Sequence, residues 1–284
     1  MPRQSGLLAV IALLCAAGCS TVTGTAAPQS SATAPASTSA TPAGAAATAT
    51  SAVPVTDPAT AVREAVAATG RTSVQINQQL QIDTDEAKHT ITITGPFDLA
   101  EGRGQLGVDF PEGAISHIDE VFAAGKVYVR GAADMPDGTW AGLDREKAVA
   151  HYLLRSPLND PAHILQQVST LTQVTRGGEE EVDGTRTAHY SGILTDDALT
   201  ARLAPEVRDE TQTFLSENTD VPVPADVWVD PQGRAVKIRI GVETSDIRSS
   251  NTVTYTELGK AVAVTPPAAK DTRTVTDLTG VLVG

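Results

Sequence analysis

"VQINQQLQID", Val74 to Asp83, and "TITITGPF", Thr90 to Phe97, decide the fold class. In the first stretch Val74, Ile76, Leu80 and Ile82 alternate with Gln75, Asn77, Gln79 and Gln81. In the second, Ile91, Ile93 and Phe97 alternate with Thr90, Thr92 and Thr94. A period of two puts one set on each face of a strand, so both stretches read as half-buried strands. Leu106, Val108 and Phe110 continue the pattern around Gly107 and Asp109. Strands that follow one another without intervening helices imply an antiparallel meander. "VFAAGKVYVRG" adds a hairpin, with Gly125 at its turn.

Working outward, helical signals flank this meander. "TDPATAVREAVAATG" reads as a helix capped by Asp57, started by Pro58, striped by Val62, Ala65 and Val66 and stopped by Gly70. "NDPAHILQQVSTL" repeats the device, with Asp160 as cap, Pro161 as first residue and Ile164, Leu165, Val168 and Leu171 as its apolar stripe. "TDDALTARLAPEVRDETQTFLSEN" reads as two short helices divided at Pro205, the first capped by Thr195 or Asp196. "TRTAHYSGIL", "PADVWVD", "RAVKIRIGVE", "NTVTYTEL" and "AVAVTPP" read as closing strands. In these, Val227 and Val229 match Val236, Ile238 and Ile240, with Lys237 and Arg239 facing out. The count is about nine to eleven strands and four helices in blocks, which is an α+β chain with a large antiparallel sheet.

The first 56 residues are of another kind. Arg3 is the only charge before an apolar run from Gly6 to Leu14 that is too short to span a bilayer. Ala16, Ala17 and Gly18 then lead into Cys19, which resembles a bacterial lipobox, where the chain is cut before the cysteine and the cysteine carries lipid. The same residues also permit an ordinary signal peptide cut after an Ala-x-Ala-like site. On the lipobox reading, residues 1–18 are a signal peptide and Cys19 is a lipid anchor on the outer face of the cell membrane. Acyl chains add about 0.8 kcal/mol per buried CH₂, and two or more make the attachment stable. Cys15 leaves with the signal, so the remaining domain holds no thiol chemistry. From Ser20 to Thr56 the chain is uncharged and dominated by Ala, Thr, Ser, Pro and Gly. It cannot bury enough surface to offset its ordering entropy, and residues 19–56 read as a tether. The folded domain is expected over 57–267. The tail 268–284 reads as an extra edge strand or a free end.

The formal net charge is −13, which excludes the basic footprint that nucleic acid needs. Catalytic patterns are also missing. His89, His117, His151, His163 and His189 are scattered without zinc spacing. His117 and Asp119 share a strand face, which is commonplace. "GEEEVDG", Gly178 to Gly184, lacks the alternating ligands of a calcium loop and reads as an acidic hairpin end. There is no nucleophile elbow and no phosphate loop. The expectation is a protein that is not an enzyme, with no cofactor and no metal. Trp140 and Trp228 read either as packing anchors or as the mouth of a cavity. Arg186 and Lys237 read either as solvated charges or as head-group contacts.

Several phrases together resemble one family: "KVYVRG" followed by "TWAGLD", "DPAHILQQV", "VDGTRTAHYSG", "VPADVWVDPQGRAVKIRI" and "TYTELGKAVAVTPP", behind the lipobox and tether. They are similar to actinobacterial lipoproteins of the LppX/LprAFG type, which have a LolA-like fold. The resemblance covers Asp57 to Pro267. It implies a strongly curved antiparallel sheet, a half-barrel, with helices packed on its concave side. It also implies an apolar cavity that holds acyl chains of a lipid or lipoglycan, carried or presented in the cell envelope. The matching residues here are Val74, Ile76, Leu80, Ile91, Ile93 and Phe97 on the sheet and Ile164, Leu165 and Val168 on the helix opposite. The helical block from Ala162 to Asn218 would be the lid side. Alternating apolar residues serve a filled core equally well. The alternative is therefore a non-enzymatic module that binds a protein, as an envelope sensor or assembly factor. An envelope transporter or partner protein is a further expected contact.

Overall fold

The computed structural model describes residues 57–278, apart from 85–87, 112, 114, 133–134, 218–221, 244–246 and 277. Cys19, the leader and the tether lie outside the described residues.

The chain begins with α1 (Pro58–Thr69), where the Asp57 carboxylate accepts from the Thr60 N–H at 2.9 Å. Six strands follow in a meander: β1 (Ser73–Thr84), β2 (Lys88–Asp98), β3 (Arg103–Asp109), β4 (His117–Ala123), β5 (Lys126–Arg130) and β6 (Trp140–Asp144). Ala124 and Gly125, both at positive φ, turn β4 into β5 as a tight hairpin whose twist suits the strands. An irregular stretch then leads to α2 (Pro161–Val168), β7 (Thr172–Val182), β8 (Thr185–Ile193), α3 (Asp196–Thr200) and α4 (Pro205–Glu217). β9 (Pro224–Val229), β10 (Ala235–Glu243), β11 (Ile247–Thr256) and β12 (Thr272–Thr274) complete the described chain.

All twelve strands form one unclosed, curved sheet in the order β12-β6-β5-β4-β3-β2-β1-β11-β10-β9-β8-β7. Every pairing is antiparallel except β12 on β6. The two meanders meet at one seam, where β1 pairs with β11 from Gln75↔Thr256 to Thr84↔Ile247. The helices cover one face. α1 packs against β7, β9, β10 and α2, α2 against α3, and α3 against α4. The Thr69 hydroxyl donates to the Ala235 carbonyl at 2.9 Å and fastens α1 to β10. One apolar core lies between the sheet and the helices. This is the α+β chain with a large antiparallel sheet that the alternation and the helix blocks anticipate, in the half-barrel form that the family resemblance implies.

Two local expectations change. "AVAVTPP" is not a strand, because Ala261–Pro267 carries no ladder. Both edges of β11, which it follows, are taken by β1 and β10, so its alternation has no strand to pair with. Val236 does not face the core with Ile238 and Ile240. A bulge between Ala235 and Lys237 turns it outward, against Val182 and Trp228.

Candidate ligand site

The concave face is built by parity. Along β1 every second residue from Val74 to Leu80 is buried, and β2 to β6 repeat this with Ile93 and Phe97, Leu106 and Val108, Ile118 and Phe122, Val127 and Val129, Ala141 and Leu143. Phe97 meets Phe122 edge-on with ring centroids 5.2 Å apart. The Phe97 ring lies over Gly104, where an added Cβ would stand 2.3 Å from it, so a side chain there would displace the ring.

Of the residues expected at the site, Val74, Ile76, Ile93, Phe97, Ile164, Leu165 and Val168 belong to one contiguous buried cluster. Ile91 is half-buried and packs against it. Leu80 is buried but stands apart from that cluster, with Asn251 opposite it on β11. The two halves of the expected wall, sheet and α2, are therefore on one core.

What lies over this floor is a short irregular segment, Leu154 to Asp160, all of it buried. Leu154, Leu158 and Asn159 are at φ 64°, 45° and 54°. Left-handed backbone costs a leucine about 1–2 kcal/mol. The segment meets the sheet through polar groups. The Asn251 amide donates to the Leu154 carbonyl at 2.7 Å and accepts from Gln78 at 3.0 Å. The Asn159 amide donates to Glu120 Oε1 at 2.9 Å and accepts from Arg155 Nε at 3.1 Å. The Arg155 guanidinium lies 5.6 Å from the centre of the Phe110 ring.

Glu120 is fully buried on β4 between Leu106 and Val129, its neighbours on β3 and β5. Burial pushes its carboxyl up to about 8, against the hydrogen bond from Asn159 and the charge of Arg155. Burial likewise brings Arg155 down to about 10. Among the described residues Glu120 Oε2 and the Tyr255 hydroxyl have no hydrogen-bond partner. Both point from strands of the concave face, and burial raises the Tyr255 phenol.

The segment's far end is clamped. Asp160 caps α2 through the Ala162 N–H at 3.0 Å and receives Arg145 at 2.6 and 2.8 Å and Arg202 at 3.1 Å. Those two cations, Arg145 foremost, outweigh its burial and hold the carboxyl below its usual range. Arg202 also donates to the Arg145 and Ala148 carbonyls. His163 beside it is buried and brought down to about 4, chiefly by desolvation. The near end is tied by Ala150, which exchanges hydrogen bonds at 2.8 Å with the backbone of Arg202 and Ala204.

The convex face holds the remaining candidates. His117 bonds Asp109 at 2.7 Å and Asp119 at 3.4 Å, and the Asp109 hydrogen bond raises its pKa. Arg130 grips the same Asp119 and lies over Trp140 at 4.6 Å. Trp228 stacks on His189 at 4.8 Å, with Lys237 above it at 4.5 Å. Both tryptophans thus sit on the side away from the helices. Arg186 is exposed and paired with Glu179. The Ser191 hydroxyl donates to Asp226 at 2.6 Å, while His189 lies between Glu180 and that same Asp226. The Ser191 Oγ also lies 3.3 Å from His189 Nε2, so serine, histidine and Asp226 form one hydrogen-bonded group on this face. No group of three metal-ligating side chains occurs among the described residues.

Two depressions, of about 250 and 130 Å³, stand out. The larger is walled by Val74, Gln75, Pro96 and the Glu257–Ala263 stretch, the smaller by Pro224, Asp226, Arg239 and the β10–β11 end. Neither has a helix residue in its wall. The polar residues of the concave face were not singled out by following apolar positions. Gln78, Glu120, Asn251 and Tyr255 share the inward parity of Ile76, Ile118 and Val253, and that parity is the signal that finds them.

Sheet, helices and apolar floor define an unclosed α+β half-barrel. The model of the LppX_LprAFG lipoprotein family matches residues 57–264, and the chain belongs to that family. Among solved structures, the chain is similar to LprF from Mycobacterium bovis, at 14% identity and a TM-score of 0.45, over 75% of this chain and 97% of that one. It is similar to the Mycobacterium tuberculosis lipoprotein LppX at 16% identity and a TM-score of 0.42, over 73% and 97%. A search of curated proteins gives no match.

Proposed function

We propose that this protein binds an acyl chain of a lipid or lipoglycan against the concave face of its sheet and carries or presents it in the cell envelope. The observation that carries the reading is the floor itself. A contiguous cluster of buried apolar side chains spans β1 to β6 and β8 to β11 beneath helices, in an unclosed sheet. Val74, Ile76, Leu80, Ile91, Ile93, Phe97, Ile164, Leu165 and Val168 are the proposed wall. Burial of a chain there is favourable in proportion to its apolar area and needs no chemistry. Lipidation of Cys19 would hold the domain at the outer face of the membrane, with residues 19–56 as tether.

Native mass spectrometry of the protein purified from detergent-free medium tests this. Lipid mass retained in the gas phase on the domain, and lost from an Ile76→Glu variant, is the expected result. A bare polypeptide mass, with no lipid taken up from added vesicles, would leave the filled-core, protein-binding reading in its place.

A further inference from the structure

The stretch over the floor, Leu154 to Asn159, has features that a permanent core filling would not need. It belongs to no sheet or α-helix, yet it is buried throughout. Its backbone is left-handed at three non-glycine positions. It touches the sheet through its Leu154 carbonyl, bonded to Asn251, and its Asn159 amide, bonded to Glu120, two groups of the segment that water would serve as well outside. Glu120 is left with one oxygen unpartnered while the segment is in place. Its two ends, in contrast, are firmly held, at Ala150 by the backbone of Arg202 and Ala204 and at Asp160 by two arginines. Firm ends and a strained, polar-bonded middle describe a hinged flap rather than a filler.

We propose that Leu154–Asn159 is a displaceable plug, which occupies the acyl site in the empty protein and swings out between its anchors as a chain enters. The proposal rests on the carrier reading above. Leu154 and Leu158 stand in for the ligand and keep the floor dry. A long chain buries more apolar area than those two side chains give up, so loading drives the exchange. On release of the chain the plug returns, and the site does not collapse or aggregate while empty.

The test is hydrogen–deuterium exchange on the full chain with cis-parinaric acid, a fluorescent long-chain polyene acid, as probe. The amides of Arg155, Asn159 and Asp160, which bond Tyr152, Ser156 and Pro157 carbonyls in the closed form, should exchange at least about tenfold faster when the probe is bound. Strand amides at Ile76 and Ile93 should not. Asn159→Ala, which frees the plug from Glu120, should bind the probe several-fold more tightly. One-to-one probe binding with unchanged exchange at Arg155–Asp160 would overturn the plug and leave the carrier reading standing. Failure of both proteins to bind the probe would remove both. If Asn159→Ala does not fold, the wild-type exchange decides alone.

Discussion

Glu120 shows how much one residue on the wrong-looking face can set. It sits between Ile118 and Phe122, at the parity of the core, and the sequence "HIDEVF" places it there as firmly as its neighbours. A carboxyl in that position stays protonated while its pKa, about 8, exceeds the ambient pH. Its folded value lies above the ordinary value of 4.5, so the folded state binds the proton more tightly. The stability it contributes is complete below about 4.5 and is lost as pH rises through about 8. Asn159, Arg155 and Asp160 are the polar and charged groups acting on it. Glu120→Gln keeps the acceptor for Asn159 and cannot ionise. The variant should match the wild type at acid pH and exceed it above about pH 8, with a flatter profile between. Urea midpoints across that range check it. The sequence made Glu120 visible by parity but hid what surrounds it, since Asn159 and Arg155 come from a stretch with no period at all.

At the scale of elements, helices and strands were legible wherever local chemistry was sufficient. Asp57–Pro58 and Asp160–Pro161 cap and start α1 and α2 as the residue types require, and Thr195 caps α3 through the Ala198 N–H. β10 was legible except at its bulge, because a bulge is chosen by the packing of Trp228 and Val182 across two strands. Ala261–Pro267 alternates like a strand, but both edges of β11, the strand it follows, are taken, which only topology reveals. Asp160 carries more than its cap. It is buried under Arg145 and Arg202, and Asp160→Asn would preserve the cap geometry while leaving two cations without their counter-charge. Breaking such a pair costs about 3–5 kcal/mol. Chemical denaturation of the variant should show a loss of that order, and the amides of α2 should exchange faster.

Over the whole molecule, the sheet grows to twelve strands because its last member comes from the tail. β12 runs parallel to β6, Val275 donates to the Gly142 carbonyl at 3.1 Å, and Leu278 is buried in the main core. Removing residues 269–284 should uncover the β6 edge and open part of the core, at about 1–3 kcal/mol, seen as a lower melting temperature. The opposite edge, β7, is exposed and carries Glu179, Glu180 and Glu181 with two irregularities in its register, devices that discourage another strand from adding there. The class of fold was readable from period and helix blocks. The buried apolar face was readable as a set of alternating positions, but the segment over it was not, because burial of an irregular loop leaves no pattern.

The β1–β11 seam has a consequence for time. β1 to β6 join neighbours in sequence, and so do β7 to β8 and β9 to β11, so both meanders close by local contacts. The seam joins Gln75 to Thr256, and its loop must be closed across most of the domain. Non-local pairings of this kind are the slow ones. A chain that emerges from its N-terminus therefore presents the free side of β1, the longest strand described along with its rows of glutamine, until the last hairpin arrives. The order of synthesis makes that edge the moment of greatest exposure to misassembly, and the polar outward face of "VQINQQLQID" covers the interval.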